Sequence, residues 1–173
     1  MDKPQAKLGN KLLIAMNNTH ASLTTVRAVA GQLSDPAHTE IKLMHYIAPI
    51  MWEYGGGDSS WALEELRREE EQIAEREHRE EQSANHYFEE ARSILQNVGV
   101  PSSHIHTEIA WEGWDVPDAI RKELAAGNYS MVVIGRHHHN TLKRLLGLSL
   151  ADVLRRHVGD ITVWVVEDTG DAA

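Results

Sequence analysis

Residues Met131 to Ser149 place a short apolar run, a glycine, a group of bases and a hydroxyl in the order a phosphate-binding turn requires. Met131 to Ile134 suits a strand covered on both faces, and Gly135 is expected to end it where the backbone turns sharply. Ser149 reads as the N-cap of a helix opening at Leu150-Ala151-Asp152-Val153-Leu154. A strand tip facing a helix N-terminus offers free N–H groups and the positive end of a dipole, so an anion can dock there. Lys143 and Arg144 add positive charge to the same loop.

The loop also holds His137, His138 and His139, and imidazole is a common ligand for zinc, copper or nickel. Three consecutive side chains diverge, so a closed site needs further donors, for which His104 and His106 qualify only by residue type. Their spacing puts both on one face of a strand, as any polar strand face does. A plain surface loop is the simpler reading, and no metal is assigned. Asp115, before Val116-Pro117-Asp118, reads as a helix cap rather than a catalytic acid. The chain has no nucleophile elbow, no Gly-x4-Gly-Lys-Ser/Thr loop and no His-Glu-x2-His pattern, which points away from catalysis.

Short apolar runs alternate with helix-like stretches along the 173 residues, which is an α/β pattern. Strands are expected near 11–17, 40–47, 104–110, 130–135 and 160–166, and helices near 20–33, 61–97, 115–126 and 149–158. Residues 1–10 read as a loose arm, 11–168 as one domain and 169–173 as a tail. Seventeen Lys and Arg against 26 Asp and Glu give a formal charge of −9, which argues against nucleic acid and anionic membranes as partners. The absence of cysteine excludes disulfides and thiolate chemistry. Leu12 to Met16 is too short an apolar run for a signal peptide or a membrane span, so a cytoplasmic location is expected.

Two segments stand out between the second and third strands. Met51 to Trp61 threads three glycines through aromatic residues and reads first as a connector over the sheet edge, with a mobile aromatic lid as the alternative. The helix after it is dense in Glu and Arg, with Leu63, Leu66, Ile73, Ala84, Tyr87, Ala91 and Ile94 near one stripe. It reads as a solvated crossover helix whose two ends dock while its middle projects. A binding face for an unidentified protein partner is the lesser reading.

The strand, Gly135, the loop, Ser149, the helix and the last strand Ile161-Thr162-Val163-Trp164-Val165-Val166 together resemble the C-terminal half of the universal stress protein family. Lys11 to Thr19 resembles that family's first strand and turn, and Ile41 to Ile47 its second strand, so the likeness covers nearly the whole chain. The resemblance implies an open, doubly wound, five-stranded parallel sheet of order 3-2-1-4-5 with helices on both faces. This is a Rossmann-like fold of the adenine nucleotide alpha hydrolase type. It also implies a ligand crevice beside strands 1 and 4.

The family's nucleotide-binding branch carries Gly-x2-Gly-x9-Gly-Ser/Thr. Here Gly135 and Ser149 match the ends of that motif, His138 and Leu148 stand at its second and third glycines, and Gly147 lies one residue early. A side chain at either position fills phosphate space or demands a different backbone conformation, so ATP binding in the usual mode is not expected. Asn17 stands where the family commonly has Asp, which trades a charge for a donor. For a bound ATP or AMP, the resemblance puts Ala15, Met16 and Asn17 on one wall and Tyr46 near the base. Ile134 and Gly135 then lie beneath the ribose, with Ser149 and Leu150 at the phosphates. His138, Lys143 and Arg144 would substitute side-chain charge for the lost backbone contacts. The family also commonly pairs its last strand across a two-fold axis, which implies a homodimer through Ile161 to Val166 anchored by Trp164. The sequence thus reads as a regulatory binding protein, with a modified ATP or AMP site as the alternative and weak nucleotide hydrolysis as a minor one.

Overall fold

The computed structural model describes residues 10–17, 19–47, 60–111, 115–136, 150–157 and 159–167. Five parallel strands, β1 (Lys11–Met16), β2 (Glu40–Tyr46), β3 (Ile105–Ala110), β4 (Met131–Arg136) and β5 (Thr162–Glu167), form one sheet in the order β3-β2-β1-β4-β5. Helices α1 (His20–Ala30), α2 (Ser60–Asn97), α3 (Val116–Ala126) and α4 (Leu150–His157) are the crossovers. The expected order is therefore present, and each described boundary lies within a few residues of its expected place.

Strand interiors are apolar because helices cover both faces. Leu12, Leu13 and Ile14 of the central strand are fully buried although successive side chains point to opposite sides. Leu12, Ile14, Ile41, Leu43, Ile105 and Val133 pack under α1 and α2, whereas Leu13, Met44, Val132 and Ile134 pack under α3 and α4. The edge strand β3 is polar where it is uncovered, with His106, Thr107 and Glu108 exposed. On the opposite edge, Trp164 of β5 packs partly against its own core.

Helix α2 is far longer than its connection needs. At about 1.5 Å per residue its 38 residues span about 57 Å, whereas a strand of this sheet rises about 20 Å. The C-terminal part docks through Ala84, Phe88, Ala91 and Leu95, spaced four, three and four apart on one face. Residues 67–72 are exposed and Ile73 is half-buried, so the middle is solvated as expected. The chain then turns through Gly99, whose φ of 99° is open chiefly to glycine, and Val100 N–H returns to the Leu95 carbonyl at 3.1 Å. Among the described residues, no helix is long and apolar enough to cross a membrane.

Candidate functional site

In an open α/β sheet, ligands bind outside the C-terminal ends of the strands where the strand order reverses, here between β1 and β4. Ala15 pairs with Ile134 across that junction. Ala15, Tyr46 and Leu150 lie on the α3/α4 face at this end, joined by Ala110 and Val116. These five are only partly buried, which leaves an apolar surface suited to a planar base. Ala110 and Val116 were not expected there; the two-residue alternation of β3, with Ala110 paired to Tyr46, is the signal that identifies the former. Met16 belongs to the opposite face, buried in the α1/α2 core, so it offers the crevice its backbone and not its side chain.

Gly135 does not end its strand. It pairs with Val166, Arg136 continues the ladder to Glu167, and the backbone at Gly135 is not left-handed. The sharp turn expected at this residue is therefore corrected: its contribution is a missing side chain near the tip of β4. Leu150 opens α4, whose first turn also carries Asp152. His138, Lys143, Arg144 and Ser149 lie outside the described residues, as do His137, His139 and the aromatic, glycine-rich loop.

Asn17 follows β1 directly and sits in a compact network. Its N–H donates to Ser22 Oγ at 2.8 Å, and the Ser22 hydroxyl bonds the Asn17 carbonyl at 2.9 Å and also contacts Oδ1. Thr19 Oγ1 donates to the same Oδ1. The carboxamide oxygen is thus engaged within the turn, and any ligand contact by this side chain falls to its amide nitrogen, a donor. Ser22 itself is almost fully buried in the first turn of α1. Neither Ser22 nor Thr19 was singled out from sequence, although hydroxyls at the start of a helix beside an Asn are a readable signal.

His45, paired in register with Met16, is buried on the α1/α2 face and contacts the Met16 carbonyl through Nδ1 at 3.1 Å. A carbonyl only accepts, so Nδ1 carries the proton. Burial lowers the pKa of His45 from its ordinary value, against opposing effects from the Met16 bond and Glu80, and the ring is neutral near pH 7. On the other face, burial and then the charges of Asp115 and Asp118 raise the pKa of the Tyr46 hydroxyl. Asp115 caps α3, accepting from Asp118 N–H at 2.9 Å as its sequence context implied. Asp118 in turn pairs with Arg121 and with Lys122, the latter at 3.3 Å.

A cavity of about 520 Å³ lies at the opposite, N-terminal end of the sheet, lined by Lys11, Glu40, Lys42, Glu108, Glu123 and Tyr129 among others. Four of these residues satisfy one another. Lys42 bridges Glu123 at 2.8 Å and also pairs with Glu108, while the Tyr129 hydroxyl donates to Glu123. Burial opposes the charge on Lys42, yet its two carboxylates raise its pKa; burial likewise opposes Glu123 ionisation, but Lys42 and Tyr129 lower its pKa. Lys11 sits 4.8 Å from the Tyr129 ring centre. This arrangement is a clamp joining α3 to β2 and β3, and the strand ends at the β1/β4 junction remain the better candidate for ligand chemistry.

His104 and His106 do not share a strand face, because His104 lies in a 3-10 turn (Ser102–His104) before β3, with its Nδ1 buried and unpartnered. Among the described residues, no group of three or more His, Asp or Glu is arranged to hold a metal ion.

The model of the universal stress protein family matches residues 10–167. No curated protein matches the sequence. Among solved structures, the universal stress protein UspA from Lactobacillus plantarum is 13% identical with a TM-score of 0.66, covering 94% of this chain and 99% of that one. A universal stress protein in complex with cAMP is 12% identical, with a TM-score of 0.59 over 91% of this chain and 96% of its own. The Archaeoglobus fulgidus universal stress protein in complex with dAMP is 14% identical, with a TM-score of 0.54 over 91% and 98%. The likeness to these structures is one of fold, and the family match spans all five strands from β1 to β5. This chain belongs to the universal stress protein family.

Proposed function

We propose that this protein is a regulatory binding protein of its family, with a crevice that takes an adenine nucleoside monophosphate and does not hold ATP in the usual mode. The observation that carries the reading is the grouping of Ala15, Tyr46, Ala110, Val116 and Leu150 beside the braced Asn17 turn, at the point where strand order reverses. It offers a base an apolar seat and a ribose a donor. His138 and Leu148 at the two glycine positions argue against a triphosphate cradle, while Lys143 and Arg144 suffice for a single phosphate. Relatives of the same fold in complex with cAMP and dAMP support the choice of ligand class. Turnover is not part of the reading, because the sequence carries no nucleophile elbow, no Gly-x4-Gly-Lys-Ser/Thr loop and no His-Glu-x2-His pattern. The protein acts in the cytoplasm as a homodimer through β5, where Trp164 is only partly covered by its own core.

Calorimetric titration of tag-free, metal-free protein with AMP and with Mg-ATP tests this. One saturable AMP site, with ATP at least about tenfold weaker, is expected. ATP binding tighter than AMP overturns the loss of the usual mode. Heat from neither overturns nucleotide recognition, and with it the reason to prefer a ligand over a protein partner.

A further inference from the structure

We propose that His45 and Ser22 are positioning residues which together fix the turn that presents Asn17 to the crevice. The end of β1 is held from two sides. From β2, the buried ring of His45 bonds the Met16 carbonyl at 3.1 Å. From α1, the buried hydroxyl of Ser22 takes the Asn17 N–H at 2.8 Å and bonds its carbonyl at 2.9 Å. These bonds grip two successive peptide units, Met16–Asn17 and the one that follows it.

His45 and Ser22 are two of the buried polar residues, and their hydrogen bonds go to successive residues of one turn, His45 to Met16 and Ser22 to Asn17. The β1–β2 ladder ends at Met16↔His45, while Ile47 N–H bonds the Ala110 carbonyl of β3. The His45 side chain thus adds a tie to the Met16 carbonyl at the last rung of that ladder. Pre-organising a contact residue in this way removes an ordering cost from binding, and a displacement of about 1 Å at such a residue is enough to weaken recognition strongly.

The inference rests on the reading that an adenine nucleotide occupies the crevice, so its test has two arms. In the first, AMP is titrated into His45→Leu, His45→Asn and Ser22→Ala, with thermal stability measured alongside. Asn places an N–H close to the position of Nδ1 and keeps the bond without the ring. About tenfold weaker AMP binding in His45→Leu and Ser22→Ala, with His45→Asn within about twofold of the unsubstituted protein, is expected. Equal affinity in His45→Leu and His45→Asn overturns the proposal, even with AMP bound. In the second arm, amide exchange at Asn17 N–H is followed without ligand. Faster exchange in Ser22→Ala and His45→Leu, with His45→Asn near the unsubstituted rate, supports the brace if AMP itself proves not to bind; unchanged exchange overturns it.

Discussion

Removing the Lys42 ammonium should destabilise the protein more than removing the Glu123 charge, and the two losses should not add. Lys42 and Glu123 are 2.8 Å apart, with side chains 19% and 15% exposed, so the pair lies between a solvated surface bridge and a buried one. Surface pairs are worth about 0–1 kcal/mol, and breaking a buried pair costs about 3–5 kcal/mol, so Glu123→Gln should cost about 1–2 kcal/mol. Gln still accepts from the Tyr129 hydroxyl, which confines the loss to charge. Lys42→Met should cost about 2–3 kcal/mol, because it leaves Glu108 and Glu123 facing each other with no cation between them. The double variant should then regain about 1 kcal/mol relative to the sum. Urea unfolding of the four proteins at pH 7 measures this cycle. With the Glu123 pKa lowered and that of Lys42 raised, the stabilisation is present between about pH 5 and pH 10. It is lost as pH falls through the folded pKa of Glu123 or rises through that of Lys42. A coupling energy below about 0.3 kcal/mol would refute the clamp and mark the ions as independently solvated.

Gly127→Ala should lower stability by about 1–3 kcal/mol in thermal unfolding, because the new Cβ would meet Tyr129 Cε2 at 2.3 Å, and the ring that carries Lys11 and reaches Glu123 must shift. No gain of backbone strain enters, since Gly127 has φ −115°. His45 makes stability depend on pH in the opposite way from a paired histidine. Its folded pKa is lowered, so the unfolded chain binds the proton first, and stability is complete above the unfolded pKa and falls with acid below it. By pH 5.5 the loss reaches at most about 1.4 kcal/mol, and His45→Asn should flatten the slope between pH 7.5 and 5.5; an equal slope in both proteins contradicts a neutral buried ring.

The fold was legible because its signals are repeated. Five apolar runs, each bounded by turn residues and separated by helical stretches, leave a parallel sheet as the economical arrangement, and Asp115 followed by Pro117 announces the start of α3. The site was legible only at its strand ends. Ala15, Tyr46, Ile134 and Leu150 fall together because strand alternation and family position agree. Gly135 was misjudged because glycine in a strand and glycine at a turn look alike in one sequence, and only the ladder to Val166 and Glu167 separates them. The role of His45 was hidden for a different reason. A histidine inside an apolar run carries no local sign of its partner, and the Met16 carbonyl it bonds lies 29 residues earlier in the chain.

The two ends of the sheet are held in different ways. At the N-terminal end, strand starts and the C-terminal end of α3 are tied by charge, with Lys42 reaching β3 and α3 at once. At the C-terminal end His45 and Ser22 reach backbone atoms of the β1 turn, and Ala15, Ala110, Val116 and Leu150 on the α3/α4 face are small or apolar. A ligand arriving there finds no ion pair to break among Ala15, Ala110, Val116 and Leu150, and a turn already held in place. On the reading proposed above, the arrangement asks little reorganisation of the protein on binding, which would favour a ligand held by a planar base over one that must be gripped through a flexible phosphate chain. That preference follows from how the strand ends are held, independently of the residues at the glycine positions of the loop.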